Sequence, residues 1–140
     1  MDDKLDQLLC ERYPKIFAKR HGNMQETAMV WGFECGNGWF DLIDQLCSDI
    51  QNYIDQNPSR KVPQVVAEQV KEKFGTLRFY VQGGDQLTTG MIWFAEGMSA
   101  RICETCGQPG KRRGRGWIYT ACDDHTQTDH LDKNNNEREN

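Results

Sequence analysis

Long hydrophobic runs are missing from this sequence. No stretch of its 140 residues approaches the roughly 20 consecutive apolar residues that a membrane-spanning helix needs, so no membrane partner is expected. The opening residues MDDKLDQLLCERYP carry neither a basic start nor an apolar run, so no secretory signal is expected and the cytoplasm is the expected location. Catalytic signatures are scarce too. There is no Ser-His-Asp set, no P-loop and no dinucleotide fingerprint, and the glycine-rich pieces are too irregular to cradle phosphate. Residues 34–59 hold five acids and no Lys or Arg, and the net charge of −4 argues against a generic nucleic-acid binder.

What is present is cysteine in a particular pattern. Cys103-Glu104-Thr105-Cys106-Gly107 is answered fifteen residues later by Cys122-Asp123-Asp124-His125. A two-residue gap lets the chain curl so that both thiolates face one ion, with Gly107 freeing the backbone for the turn. Two such pairs at this separation predict one structural Zn2+ held by Cys103, Cys106, Cys122 and His125, with His130 as the alternative fourth ligand. Four protein ligands leave no open coordination position for catalysis. The knuckle, a hairpin, and a second ligand pair opening a helix together resemble a treble-clef finger over about residues 102–131. Cys10, Cys35 and Cys47 are then free, mostly buried thiols in a reducing compartment.

The rest of the chain is long enough for one domain with a core that leans on its four Trp and six Phe. Leu5, Leu8 and Leu9 fall at helical spacing behind Asp2 and Asp3, and Pro14 starts a second short helical piece. Residues 27–34 alternate, with Met29, Trp31 and Phe33 on one side, which predicts a strand. The clearest helix starts at Trp39, with Asn37 as its cap. Its apolar stripe runs through positions 39, 43, 46, 50 and 53–54 and ends before Pro58. Its other side carries Asp41, Asp44, Asp49 and Asp55, either a solvated face or a docking surface for a basic partner.

Residues 65–74 and 77–82 flank Gly75-Thr76 and predict a hairpin with a type II′ turn. That register pairs Phe74 with Leu77, Glu72 with Phe79 and Val70 with Val81, and puts Phe74 on the core face. Lys71, Lys73, Arg78 and Tyr80 take the outer face. Glu68 and Glu72 fall on the apolar side, which calls for a bulge, a place at the sheet margin, or a functional carboxylate. Thr88 or Thr89 caps a third helix that runs to about Ile102 and feeds into the finger. Within the finger, Lys111, Arg112, Arg113 and Arg115 stand beside Trp117, a solvated tip or a contact for nucleic acid or an acidic partner. The expected fold class is therefore α+β. A small antiparallel sheet packs with three main helices in a body of residues 1–101. A zinc finger at 102–131 docks on it, and a disordered polar tail follows at 132–140.

Three segments carry a resemblance: 35–47 (CGNGWFDLIDQLC), 69–80 (QVKEKFGTLRFY) and 103–107 (CETCG). Together they resemble a family of small uncharacterised proteins of bacteria, phages and prophages, over about residues 12–125. The resemblance supplies no catalytic residue. It implies a non-enzymatic accessory protein that binds and inhibits a host protein or protein–nucleic-acid complex, as an anti-defence or anti-CRISPR-type inhibitor does, in the host cytoplasm. Direct nucleic-acid binding is the alternative. An HNH-like metal nuclease is disfavoured, because residues 107–121 contain no His, Asp or Glu to serve as base or catalytic-metal ligand.

Overall fold

The computed structural model describes residues 1–127. His130 and the polar tail expected over 132–140 lie outside the described residues. The fold is α+β: three helices, α1 (Asp3–Arg12), α2 (Phe40–Gln56) and α3 (Gln86–Ser99), pack with a three-stranded sheet. Its strands are β1 (Phe33–Glu34), β2 (Val66–Lys73) and β3 (Thr76–Gln82), in the order β1-β2-β3. A second, two-stranded sheet is formed by β4 (Lys111–Arg113) and β5 (Tyr119–Ala121). The main sheet is mixed, because β1 runs parallel to β2 while β2 and β3 form the antiparallel hairpin.

The expected strand over 27–34 shrinks to its last two residues. The Thr27 hydroxyl accepts the Met29 N–H at 3.1 Å and starts a 3-10 turn over Ala28–Trp31; Gly32, at φ +74°, then reverses the chain into β1. Met29 and Phe33 are buried, whereas Trp31 turns outward. The Asp6 carboxylate holds the segment against α1 through Arg20, at 2.8 Å, and Arg20 also donates to the Val30 carbonyl at 3.0 Å.

The amphipathic stripe of α2 buries Ile43, Leu46, Cys47 and Ile50. These meet Val70, Leu77 and Phe79 of the sheet and Ile92 and Ala95 of α3 in one core. Phe17 packs edge-on against Phe33 and Phe79, with ring centroids 4.9 and 6.3 Å away. Helix α3 is capped one turn earlier than expected: Asp85 accepts from Leu87 and Thr88 N–H while Thr88 answers in a capping box. It lies along the free edge of β3, where Ser99 Oγ and a Glu96 carboxylate oxygen accept the Leu77 and Phe79 N–H groups. An edge that would otherwise recruit another strand is thereby closed.

The hairpin register differs from the expected one. Lys73 pairs with Thr76, Glu72 with Leu77 and Val70 with Phe79, and the register shifts between Ala67 and Gln69. Glu68 is the bulged residue and is drawn aside to Lys19 at 2.6 Å. The bulge supplies the extra residue that lets Val66 and Ala67 still meet Gln82 and Val81. The turn is therefore Phe74-Gly75, both with positive φ (+53° and +80°), as a type I′ turn requires. Phe74 leaves the core face and is 63% exposed. A bulky residue in the left-handed region is strained. Phe74→Asn is therefore expected to stabilise the chain by about 1 kcal/mol, read as a higher urea midpoint with unchanged slope.

Candidate metal centre and its junction with the body

Residues 103–125 fold as a knuckle, a hairpin and a short helical turn. Gly107, at φ +80°, donates its N–H to the Cys103 carbonyl at 2.9 Å, and Cys103 N–H reaches the Gln108 carbonyl at 2.8 Å. This tight loop turns Cys106 back beside Cys103. Strands β4 and β5 return the chain to Cys122, which precedes the 3-10 turn Asp123–His125. Asp123 is fixed there by Arg113, at 2.7 Å, which also holds the acid below its ordinary pKa.

Cys103, Cys106, Cys122 and His125 are brought together, with one ligand atom from each lying within 4.8 Å of the others. Cys106 and Cys122 sulfurs are 3.7 Å apart, and His125 Nδ1 lies 3.7 and 3.2 Å from the Cys103 and Cys122 sulfurs. A tetrahedron with metal–sulfur bonds of about 2.3 Å has edges of about 3.8 Å, so the four atoms fit one ion. They do not fit a disulfide, whose sulfurs approach to about 2.05 Å. Burial pushes the Cys103 thiol up, but N–H groups of Cys122, Cys106 and Thr105 outweigh it and bring it down to about 6, while the neighbouring Cys103 and Cys122 sulfurs help to raise Cys106, so that one thiolate forms first in the cluster. The other three cysteines are set apart from this chemistry. Burial pushes Cys35 up to about 12 and Cys47 well above its ordinary value, and burial with Asp6 raises Cys10 to about 11.

The finger does not stand alone. Gly38 N–H donates to the Glu104 carbonyl at 2.7 Å and Gly36 N–H to the Glu104 carboxylate at 2.8 Å; the Trp39 indole N–H reaches the Ile102 carbonyl at 2.9 Å. The Cys35–Trp39 run is thus a cradle for the knuckle, and its glycines are there for contact. A Cβ on Gly38 would stand 2.1 Å from the Cys103 carbonyl oxygen. On the other flank, the Phe74-Gly75 turn is held by the finger: the Thr120 hydroxyl donates to the Gly75 carbonyl and Arg112 to the Phe74 carbonyl at 2.9 Å. Asn37, expected to cap α2, instead pairs with Asp2.

The basic residues divide. Arg113 is half-buried and spent on the Ala121 carbonyl and Asp123. Lys111, Arg112 and Arg115 are exposed on the finger, and Lys71, Lys73 and Arg78 lie on the outer face of the hairpin with Tyr80. None of these six forms an ion pair among the described residues. Of the four acids on α2, Asp44 is engaged by Arg12 at 3.0 Å and by the Tyr13 hydroxyl at 2.7 Å. Asp41, Asp49 and Asp55 are exposed, the last two bonded to Gln45 and Gln51 one turn away. Glu72, the other open carboxylate, accepts the Gly75 N–H at 2.7 Å.

Sequence reasoning missed Phe74. With Trp117, 70% exposed, and Ile118 it lines a cleft of about 250 Å³ between hairpin turn and finger. The signal for it was Glu68: once a glutamate on the apolar side is read as a bulge, Phe74 moves into the turn. Among the described residues no helix is long and apolar enough to cross a membrane. No family model matches this chain, and no curated protein and no solved structure is similar to it.

Proposed function

We propose that the chain is a non-enzymatic binding protein. A Zn2+ on Cys103, Cys106, Cys122 and His125 holds the finger against the hairpin, and the joined surface binds nucleic acid. The observation that carries the reading is the convergence of cations from two distant segments at one junction. Lys73 stands 5.6 Å over the Phe74 ring, Arg112 donates to the Phe74 carbonyl, and Lys71 and Arg78 extend the same face along the hairpin. Much of the negative charge lies elsewhere: the exposed acids of α2 lie opposite its buried stripe, and Lys71, Lys73 and Arg78 lie on the sheet face opposite the same core. Glu34 stands beside Lys71 on that face and is outnumbered by these three cations, a local excess that favours a polyanion.

The test is the salt dependence of binding to a labelled oligonucleotide. Each phosphate neutralised contributes about −0.7 to the slope of log K against log salt for a single strand. Neutralising Lys111, Arg112 and Arg115 together is expected to weaken binding at low salt and flatten that slope by about 2. An unchanged slope and affinity would remove the surface from the account.

A second reading is supported by the three exposed aspartates of α2. In it the chain is a mobile-element accessory protein whose acidic helix docks on a basic patch of a host machine and blocks it. Capture of a nuclease-resistant partner that is lost with Asp41, Asp49 and Asp55 changed to Asn, and kept when the finger cations are neutralised, would favour it.

A further inference from the structure

We infer that the Phe74–Trp117 cleft is a stacking clamp for an unpaired nucleobase, so that the ligand is single-stranded nucleic acid and not duplex. The inference rests on the nucleic-acid reading above and adds the class of strand. Two large aromatic side chains, distant in sequence, stand 63% and 70% exposed and line one cleft, Phe74 from the hairpin turn and Trp117 from the finger. At about 250 Å³ the cleft is smaller than the roughly 300–1,000 Å³ of sites for whole drug-sized ligands and suits one flat ring system.

The way Phe74 is held supports the assignment. Its backbone is at φ +53°, a conformation a bulky residue adopts only when its surroundings impose it. The hairpin register imposes it, and the finger then fixes the carbonyls of Phe74 and Gly75 through Arg112 and Thr120. A glycine or asparagine would make this turn without strain, so the ring is displayed at a cost in stability. Gly75 sits where an added Cβ would press on the Tyr119 backbone at 3.1 Å, so the finger packs directly on the turn that carries the ring.

The charges around the rings select the ligand. Lys73 Nζ stands 5.6 Å from the Phe74 ring centroid and Arg112 donates to the Phe74 carbonyl, with Arg115 exposed in the same finger loop as Trp117. Lys111 lies on the other face of β4, beside Arg113 and Asp123. Aromatic faces set among cations match the alternation of base and phosphate along a single strand. Glu72, the acid in the cleft, has its carboxylate bonded to the Gly75 N–H. In a duplex the base faces are stacked on one another and cannot enter such a cleft.

The experiment compares the zinc-loaded full chain on a labelled twelve-residue thymidine oligonucleotide, on an abasic sugar–phosphate strand of equal length, and on a duplex. The thymidine strand is expected to bind at least ten-fold more tightly than the other two at one salt concentration. Phe74→Ala and Trp117→Ala should each cost the thymidine strand about five-fold or more and leave the abasic strand unchanged, while Trp117→Phe keeps most of the affinity. Equal binding of thymidine and abasic strands by the unaltered chain would overturn the clamp and leave the cationic reading standing. No binding of any strand at low salt would overturn both.

Discussion

Removing the metal from the Cys103, Cys106, Cys122 and His125 set is expected to unfold the finger and lower the melting temperature of the whole chain. Structural zinc sites in isolated fingers have apparent binding free energies of about 10–16 kcal/mol, far more than a knuckle with the small core of Cys103, Tyr119 and Ala121 supplies alone. The effect reaches the body because the junction is made of specific hydrogen bonds. The Trp39 indole, the Gly36 and Gly38 N–H groups and the Gly75 carbonyl all lose their partners when residues 102–120 come away. At about 0.5–1.5 kcal/mol each, that is roughly 2–6 kcal/mol, or a fall on the order of 10 °C or more in the body's own transition. Chelator titration followed by circular dichroism measures it, and Cys106→Ser should reproduce it without chelator. An unchanged melt would mean that the four ligands hold nothing together.

Gly38→Ala is expected to be nearly as damaging, though position 38 lies far from the metal in sequence. An added Cβ would meet the Cys103 carbonyl oxygen at 2.1 Å and the Glu104 carbonyl carbon at 2.6 Å. Both are backbone atoms of the knuckle, so no side chain can move aside. Overpacking of this kind costs about 1–3 kcal/mol and sometimes more, and here it also pushes the knuckle off the Trp39 indole. Gly97→Ala is the control, since nothing lies within 4 Å of a Cβ there, and replacing a helical glycine by alanine should stabilise. The measurement is the urea midpoint of each zinc-loaded variant. A Gly38→Ala chain as stable as the unaltered one would contradict the docked arrangement of finger and body.

Local chemistry was legible in the sequence and tertiary contact was not. The cluster of Cys103, Cys106, Cys122 and His125 could be placed because a metal site imposes short, fixed spacings on the chain. The α2 stripe could be placed because burial on one side repeats every turn. Residues 28–31 misled because a Thr cap and a 3-10 turn bury Met29 and Phe33 but not Trp31, a pattern that alternation over so few residues imitates. The hairpin was recognisable, but its register depended on a single bulge at Glu68, and that one residue moved Phe74 from core to surface. The glycines of the Cys35–Trp39 run read as a turn, yet their task is close approach to a knuckle more than 60 residues away. Likewise the acidic row of α2 looked uniform until Arg12 and Tyr13, from the end of α1, engaged Asp44.

The central claim is that metal, finger and hairpin turn make one binding surface. Its most direct test is the affinity of a labelled single-stranded thymidine oligonucleotide for the chain before and after the metal is removed, at fixed low salt. The account predicts tight, salt-sensitive binding by the zinc-loaded chain. Chelation should abolish most of it, because the finger cations and Trp117 then part from Lys73 and Phe74, and zinc should restore it. Equal affinity in the loaded and chelated states, or no binding in either, would contradict it.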